Sequence, residues 1–531
     1  MKGILATIVL VLAVACQVFA QAKPAAPAKE QYKGDEATKR RVEAAVRFLA
    51  DDLLEGRGTP SRGLDTAALY LANELRAAGW QPGNADSYYQ TYAVRTISPQ
   101  KTQYRISING RELDPQKFVF VPFGMDPSRT PFRYDLVFAG YGIFAPERGV
   151  DDYAGVDLRG KASVALRGAR WDFDPADPAA SFADYDQIVG KAIHVAVRNG
   201  ALLIYVSDEY EAPVESPPNE GVAVVRGLAL LPTTIVPEFK GKPTFPVSPL
   251  LAITPPEFDR TLASIAGGTY REWKERLATQ EHHARPLAAS IEIKIQTEPE
   301  EGQARNVVGI LRGIDPDLRD EWVVLTAHYD HIGYRQVPAG QDGIYNGADD
   351  NASGTAAVLE IARQLASGKP PRRSVLVLFT SGEDKGDLGS AYYSHHPLVP
   401  YDRVVLNINV DMVGRSMGAV NALATGCEEI LARAVEIGRQ TQVDVLSSSN
   451  PKGLDPPCCL DSYHFVRFSV PFIHFGTGSH ADYHQPTDEA DRIRFGELGR
   501  ITGLIFGLAD YYTQGGKRPS FKRPAWFLTP D

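Results

Sequence analysis

The chain has 531 residues, of which 44% are hydrophobic, 9% aromatic and 23% charged. This length exceeds that of one small domain, and the composition can fill a core, so a disordered, collagen-like or coiled-coil protein is excluded as the bulk of the chain. The net charge is −9 and no long basic run occurs. Binding to nucleic acid or to an anionic membrane is therefore not expected, because phosphate neutralisation needs clustered cations.

The first twenty residues predict a secretory signal, because one Lys is followed by a long apolar run. Val18-Phe19-Ala20 fits a cleavage site with small residues before Gln21. The alternatives are a retained membrane anchor and lipidation of Cys16, although Ala13 stands where a lipidation signal usually has Leu. We expect export to the periplasm or the extracellular space, without a stable membrane span.

The cysteines are too few for a disulfide scaffold and lack the paired C-x-x-C spacing of a structural zinc site. Three of them remain after the predicted cleavage: Cys427, Cys458 and Cys459. An odd number leaves at least one thiol unpaired in an oxidising compartment, unless it bridges to another chain. A bond from Cys427 to one of the adjacent pair is favoured over a strained bond within that pair, and the sequence leaves the pairing open.

The predicted elements change character along the chain. A linker leads into amphipathic helices at 36–50 and 64–78. Short apolar strands and Gly, Pro and Asp turns then predict a β-rich region, in which a helix at 191–200 precedes a strand at 201–206. We expect four segments: a signal at 1–20, a linker and N-terminal helices at 21–101, a β-rich insert at 102–286, and the principal domain at 287–531.

From residue 306 onward, strands, loops and helices alternate. The predicted strands are continuous apolar runs at 323–325, 375–379, 404–406 and 471–473, and helices at 354–365 and 428–440 lie between them. Such runs indicate burial on both faces, which is typical of an α/β fold with a mixed, mostly parallel sheet sandwiched by helices. Ligands of open sheets bind beyond the carboxyl ends of the strands, so we expect the functional site at that edge.

Residues able to bind metal follow these strands: His328, Asp330, Asp349, Asp350, Glu383, Asp384, Asp411, His480 and His484. Singly, each signal is weak, because Asp at a helix start is usually an N-cap and His after a strand is usually an ordinary polar residue. Together, imidazole and carboxylate groups at one sheet edge suit two divalent ions that share a carboxylate. Without thiolates, this set favours zinc, with manganese or cobalt as alternatives.

Five motifs in order resemble those of the co-catalytic di-zinc peptidases, which include bacterial leucyl-type aminopeptidases and glutamate carboxypeptidases. They are H-Y-D, A-D-D-N-A-S-G, G-E-D-K-G-D-L-G-S, N-V-D-M-V-G-R and D-Y-H-Q-P-T-D, within residues 306–508. A weaker likeness extends to 48–57. Residues 153–161 resemble part of a protease-associated domain, which some members carry as an insert. The resemblance implies a zinc-exopeptidase type of fold with such an insert.

The resemblance also implies a role for each matching residue. His328 and Asp411 would bind one ion, Asp384 and His484 the other, and Asp350 both. Glu383 would be the general base that accepts a proton from a metal-activated water. Asp330 would orient His328 by accepting its other N–H, and Tyr483 would stabilise the oxyanion.

One departure from the family pattern is visible, because the family usually has Glu at the position of Asp384. The shorter carboxylate leaves the metal preference of that position open. His331, His474 and His480 are expected to support the site or pack in the core, since the implied ligand set is already complete. Arg415 is expected to form a salt bridge, and Asp461 occupies the position of a recurrent Asp that either lines the pocket or clamps a loop.

The implied activity is that of a secreted exopeptidase with a peptide substrate, and aminopeptidase is favoured. Carboxypeptidase or dipeptidase activity is an alternative on the same site. An inactive, receptor-like binding protein is a further alternative, although every ligand position carries a competent group. Glutaminyl cyclisation with one zinc predicts loss of the first-ion ligands, which His328 and Asp411 contradict. The oligomeric state is left open.

Overall fold

The computed structural model of the chain describes residues 36–145, 148–168, 188–208, 233–239, 247–278, 283–447 and 460–522. The predicted signal, Cys458 and Cys459 lie outside these residues. Cys427 is buried, and it forms no disulfide within the described part of the chain. Among the helices described, none is both long and apolar enough to cross a membrane.

The chain divides into two compact units. The insert unit spans Arg95–Glu301, and the main unit combines the described residues before Arg95 with those after Glu301. The insert unit extends beyond the predicted 102–286 at both ends, and at its C-terminal end it does so because the strand Arg285–Thr297 pairs within its sheet.

The helices of the described residues are α1 (Glu36–Leu49), α2 (Arg62–Ala77), α3 (Ile188–Ala196), α4 (Pro255–Thr261), α5 (Ala263–Ala266), α6 (Tyr270–Leu277), α7 (Gly354–Ser367), α8 (Leu388–His395), α9 (Glu428–Thr441), α10 (Ser462–Val466) and α11 (Phe495–Thr513). The strands are β1 (Gln81–Pro82), β2 (Tyr89–Ile97), β3 (Thr102–Ile108), β4 (Arg111–Glu112), β5 (Phe118–Val121), β6 (Phe132–Phe138), β7 (Phe144–Ala145), β8 (Val150–Asp151), β9 (Ala162–Leu166), β10 (Leu202–Val206), β11 (Thr233–Ile235), β12 (Leu250–Ile253), β13 (Arg285–Thr297), β14 (Glu300–Leu311), β15 (Trp322–His328), β16 (Gly333–Tyr334), β17 (Ile344–Tyr345), β18 (Ser374–Thr380), β19 (Val404–Val410), β20 (Ala419–Leu423), β21 (Asp444–Ser447) and β22 (Phe472–Gly476).

The main unit has the predicted mixed sheet. Seven of its strands follow the order β14-β18-β15-β19-β22-β20-β21. The strands β18, β15, β19 and β22 are mutually parallel, whereas β14 runs antiparallel to β18 and β20 runs antiparallel to β22 and parallel to β21. Every residue of these four parallel strands is buried, as their continuous apolar sequences predict.

Helices cover both faces of this sheet. Val323 and Leu325 of β15 belong to a core that also contains buried residues of α1, α2, α7, α9 and α11. Val324, which points to the opposite face, packs in a second core with Tyr393 of α8 and Phe465 of α10. The predicted α/β sandwich is therefore confirmed.

The insert unit is built on an eight-stranded sheet with the order β4-β3-β13-β6-β9-β10-β12-β5. Its central strands β6, β9, β10 and β12 are parallel, so the unit contains a parallel segment that its alternating texture did not predict. Phe138, Phe258 and Trp273 lie in its apolar core, and α3 replaces the predicted helix at 191–200 with a slightly earlier start. Its likeness to a protease-associated domain stays a prediction.

The carboxyl ends of the main-unit strands bring the predicted site together. His328 is the last residue of β15 and pairs with Thr380, the last residue of β18. Glu383 and Asp384 follow β18 directly, and Asp411 follows β19. The parallel register therefore places these side chains at one sheet edge.

Candidate metal centre

Three residues form a first donor group. The Nε2 atom of His328 lies 3.3 Å from Oδ1 of Asp350 and 3.2 Å from Oδ1 of Asp411. Asp350 reaches this position from the irregular helical turn Ala348–Ser353, which precedes α7. One donor atom from each residue lies within 4.8 Å of the others, so the three can hold one cation.

Four residues form a second donor group around the other oxygen of Asp350. The Nε2 atom of His484 lies 3.0 Å from Oδ2 of Asp350 and 3.1 Å from Oδ1 of Asp384. The Nδ1 atom of His331 lies 2.9 Å from Oδ2 of Asp384. Asp350 thus offers one oxygen to each group, which is the arrangement of a bridging carboxylate.

The donor atoms fit divalent cations. Nε2 of His484 is buried 3.0–3.1 Å from the buried oxygens Oδ2 of Asp350 and Oδ1 of Asp384, but these contacts lack hydrogen-bond geometry. Uncompensated buried polar atoms are costly, and a cation among them removes that cost. Four ligands at about 2.0–2.1 Å from a tetrahedral zinc ion are about 3.3–3.4 Å apart, close to the separations seen here.

Arg57 fixes the loop that leads from β15 to Asp350. It is buried, and its guanidinium donates to the carbonyls of Tyr329 at 2.8 Å, Asn346 at 2.7 Å and Gly347 at 3.0 Å. Burial lowers the pKa of Arg57 to about 10, so the guanidinium remains charged at neutral pH. Arg57 was not among the residues predicted for the site, and the weak family likeness at 48–57 was its only signal.

A second set of contacts holds the backbone at Asp350. The Oδ2 atom of Asp488 accepts hydrogen bonds from the backbone N–H groups of Asp349 and Asp350, at 2.9 and 3.1 Å. The Asp349 carboxylate accepts from the backbone N–H of Gly414 at 2.6 Å and from the hydroxyl of Ser353 at 3.0 Å. Asp349 is therefore a structural residue of this turn, and neither donor group includes it.

Glu383 lies between the donor groups. One of its carboxylate oxygens is within 4.8 Å of a ring nitrogen of His328 and of an oxygen of Asp384. Loss of hydration raises the pKa of the Glu383 carboxyl well above its ordinary value, and the nearby carboxylate of Asp384 raises it further, while His328 opposes this. The role of Glu383 as a general base stays a prediction.

Asp330 contacts different groups from those predicted. Its Oδ1 atom is 3.8 Å from Nδ1 of His328, which is longer than a hydrogen bond. Its carboxylate instead accepts from the backbone N–H of Glu383 at 3.2 Å and from the hydroxyl of Thr59 at 3.0 Å. The role of Asp330 in orienting His328 therefore stays a prediction, while its contact with the backbone of Glu383 is an addition to it.

The other predicted residues surround the donor groups. The Tyr483 ring stacks on the His484 ring with centroids 3.9 Å apart, and its contact with an oxyanion stays a prediction. His474 contacts Asn409 at 3.1 Å, and His480 contacts Asp349 at 3.1 Å.

Two further contacts concern charged residues near the site. Arg415 forms its expected salt bridge, with Asp482, at 2.7 Å. The carboxylate of Asp461 accepts a hydrogen bond from the Thr380 hydroxyl at 2.7 Å, and burial raises its pKa to about 6. This contact ties Asp461 to the end of β18, while much of the Ser- and Pro-rich segment before it lies outside the described residues.

The sequence of the chain is similar to those of known peptidases. Residues 306–509 match the family model of peptidase family M28. The chain is 25% identical over 411 residues to a probable glutamate carboxypeptidase (VP8) of Zea mays, a match covering 72% of this chain and 51% of that protein. It is 34% identical over 117 residues to aminopeptidase YwaD of Bacillus subtilis, covering 21% of this chain and 22% of that protein.

Among solved structures, the chain resembles BSAP, a zinc aminopeptidase from Bacillus subtilis. This similarity has 18% sequence identity and a TM-score of 0.45, and it covers 92% of this chain and 98% of that one. The two curated relatives are longer than the segments that match them: the chain spans about half of the maize protein and under a quarter of the Bacillus one.

Proposed function

Because residues 306–509 belong to peptidase family M28, we propose that the chain is a zinc-dependent exopeptidase that removes N-terminal residues from peptides. The observation that carries this proposal is the pair of donor groups that share Asp350, with Glu383 beside both. Imidazoles and carboxylates without thiolates favour zinc, and manganese or cobalt suits the same donors.

Two ions are proposed, with the first held by His328, Asp350 and Asp411 and the second by Asp350, Asp384 and His484. Divalent ions in such sites act as Lewis acids that polarise a carbonyl group and activate water for attack on it. The chain itself contributes the bridging geometry, since Asp350 is fixed by backbone hydrogen bonds to Asp488 rather than by the ions alone.

Glu383 is the proposed general base. It takes a proton from the attacking water and returns it to the leaving amine, which requires a carboxylate within hydrogen-bond reach of both. Asp330 positions Glu383 by accepting a hydrogen bond from the backbone N–H of Glu383. The phenol of Tyr483, whose ring is held against His484, is proposed to donate a hydrogen bond to the oxyanion of the tetrahedral intermediate.

Recognition of the peptide N-terminus is favoured over recognition of its C-terminus. The Bacillus relative is named an aminopeptidase. Arg415, which lies next to the site in sequence, is already paired with Asp482 and is thus not a free cation for a substrate carboxylate. Carboxypeptidase activity is the second candidate, because the maize relative, which matches over 72% of this chain, is named a probable glutamate carboxypeptidase.

A peptide panel tests the direction of cleavage. The zinc-loaded full chain is incubated with one peptide in three forms: free at both ends, N-acetylated, and C-amidated. We expect hydrolysis of the free and amidated forms and none of the acetylated form, with release of the first residue detected by mass spectrometry. Cleavage of the free and acetylated forms but not of the amidated form contradicts aminopeptidase activity and indicates a carboxypeptidase, and no cleavage by zinc-loaded protein supports a binding protein instead.

Export is proposed on the N-terminal sequence, and the site of processing tests it. The protein purified from a secreting host is expected to begin at Gln21, as measured by intact mass and N-terminal sequencing. A mature chain that begins at Cys16 and carries the mass of lipid chains indicates a lipoprotein. A full-length chain that starts at Met1 and fractionates with membranes indicates a retained anchor.

A further inference from the structure

The second donor group contains one more imidazole than the family resemblance implies. We propose that His331 is a direct ligand of the second metal ion, which is then bound by two imidazoles, His331 and His484, and two carboxylates, Asp350 and Asp384. This inference rests on the proposed metal site and assigns a residue that the sequence placed in a supporting role.

The position of the His331 ring is the first observation that supports ligation. Its Nδ1 atom lies 2.9 Å from Oδ2 of Asp384 and 3.6 Å from Oδ2 of Asp350. One donor atom each of His331, Asp350, Asp384 and His484 lies within 4.8 Å of the other three. Nδ1 therefore converges on the same point as the three implied ligands, at separations that bracket the spacing of about 3.3–3.4 Å around tetrahedral zinc.

The packing around His331 fixes this position. The residue is fully buried, and its backbone N–H donates to the carbonyl of Arg57 at 3.2 Å. Its ring lies against Gly347, where a Cβ atom would come within 2.5 Å of Cδ2 of the ring. Gly347 also has a φ of +56°, a conformation that favours glycine. The absence of a side chain at Gly347 thus leaves the space that the His331 ring occupies beside Asp384.

The length of Asp384 gives the reason for an added ligand. The family usually has Glu there, and the shorter Asp side chain reaches less far from β18 towards an ion. His331 supplies a neutral nitrogen donor on the same side, where Nδ1 already contacts the Asp384 carboxylate. Two imidazoles and two carboxylates complete a four-ligand set of the kind that zinc accepts, and a fifth position is available when zinc expands its coordination.

The alternative role for His331 is that of a positioning residue, whose Nδ1–H donates to Asp384 without touching the ion. Scalar coupling distinguishes the two roles, because it passes only through a bond. The full chain is labelled with 15N-histidine, loaded with 113Cd and examined by NMR for 113Cd–15N couplings. We expect three coupled imidazoles, with Nδ1 the coupled atom of one of them, and loss of that signal in His331→Ala.

The outcomes separate this inference from the proposed function. Coupling to two imidazoles alone, with both retained in His331→Ala, overturns the ligand role of His331 and leaves the metal site intact. Coupling to no imidazole contradicts the metal site itself. The wild-type spectrum decides between these results even if the variant does not fold.

Metal affinity provides a second readout. Competition with a chelator measures the affinity for each ion. Loss of a residue that only supports a ligand lowers metal affinity roughly 10- to 100-fold. His331→Ala is expected to lower the affinity for one ion by more than this and to leave the affinity for the other unchanged. His480→Ala is the matched control, since His480 contacts Asp349 outside both donor groups. Equal losses in the two variants would contradict the inference.

Discussion

The two units place parallel strands side by side in the same way, yet their strand ends differ in chemistry. In the main unit, β15 ends in His328, and Asp411 follows β19. In the insert unit, β9 is followed by Arg167, β10 by Ser207 and β12 by Thr254. Within the described residues, every group of potential metal donors lies in the main unit. Strand topology provides an edge, and the residues placed there decide whether it binds metal.

Both units bury charged side chains, among them Lys191 and Glu257 of the insert unit, and both carry ion pairs at the surface. In the insert unit, Arg133 pairs with Glu292 at the surface, while the core holds Phe138 and Trp273. In the main unit, Arg57 is buried, and Glu360, also buried, pairs with Arg41. Surface pairs contribute little to stability, whereas a buried charge is costly when its partner is lost. Loss of the buried Arg57 should therefore have a larger effect than loss of the exposed Arg133, and removal of metal should affect the main unit, which holds the described donor groups.

The largest effect is expected for Glu383→Gln, which changes the chemistry and not the fold. The amide keeps the shape of the side chain but cannot accept the proton, so kcat should fall about 10²- to 10⁴-fold. Bound metal, measured by mass spectrometry, and the melting temperature should match those of the wild type. Turnover at the wild-type rate would remove Glu383 from the mechanism.

Arg57→Met tests the buried charge of the main unit. Its loss leaves the buried carbonyls of Tyr329, Asn346 and Gly347 without their donor, so the free energy of unfolding should fall by about 3 kcal/mol or more. Hydrogen exchange should show faster opening of the loop at 329–347. Arg133→Met in the insert unit is the control and should change neither measurement, and an equal effect of both variants would contradict the comparison.

Metal removal tests whether the stability of the main unit depends on bound zinc. At a free zinc concentration 100 times Kd, binding stabilises the folded site by about 2.7 kcal/mol, and a chelator removes this. Hydrogen exchange of peptides from β15, β18 and the loop before α7 should accelerate after chelation and recover with zinc. Peptides from β9 and β10 should exchange at unchanged rates, and acceleration there would mean that the units do not respond separately.

The smallest effect concerns His194 of the insert unit. Burial, with Arg198 and Lys191 nearby, lowers its pKa to about 3. Below about pH 6.5, His194 therefore binds a proton in the unfolded chain but not in the folded unit. The free energy of unfolding falls as the pH drops from 6.5 towards 3. At pH 5.5 the loss is about 1 kcal/mol. His194→Leu should flatten this slope in urea unfolding between pH 7 and 5.5, and an unchanged slope would assign it to other groups.

Much of the fold follows from local sequence patterns. Leu64, Leu71 and Leu75 of α2 are buried at the predicted helical spacing, and the side chain of Ser61 caps the helix by accepting from the backbone of Leu64. The continuous apolar runs give β15, β18, β19 and β22 within a few residues of their ends. These signals are local, because the spacing of apolar residues within a short segment indicates whether one face of a helix or both faces of a strand are buried.

Some features of the site also follow from local sequence, and others do not. The residues that follow the strands are evident from the sequence, and His328, Asp350, Asp384, Asp411 and His484 do converge. Three features could be seen only after folding: Asp330 accepts from the backbone of Glu383, Arg57 is buried against a loop 272 positions away, and His331 joins the second donor group. A motif records which groups are present at a strand end, but the direction in which each points depends on donors and packing contributed by distant parts of the chain.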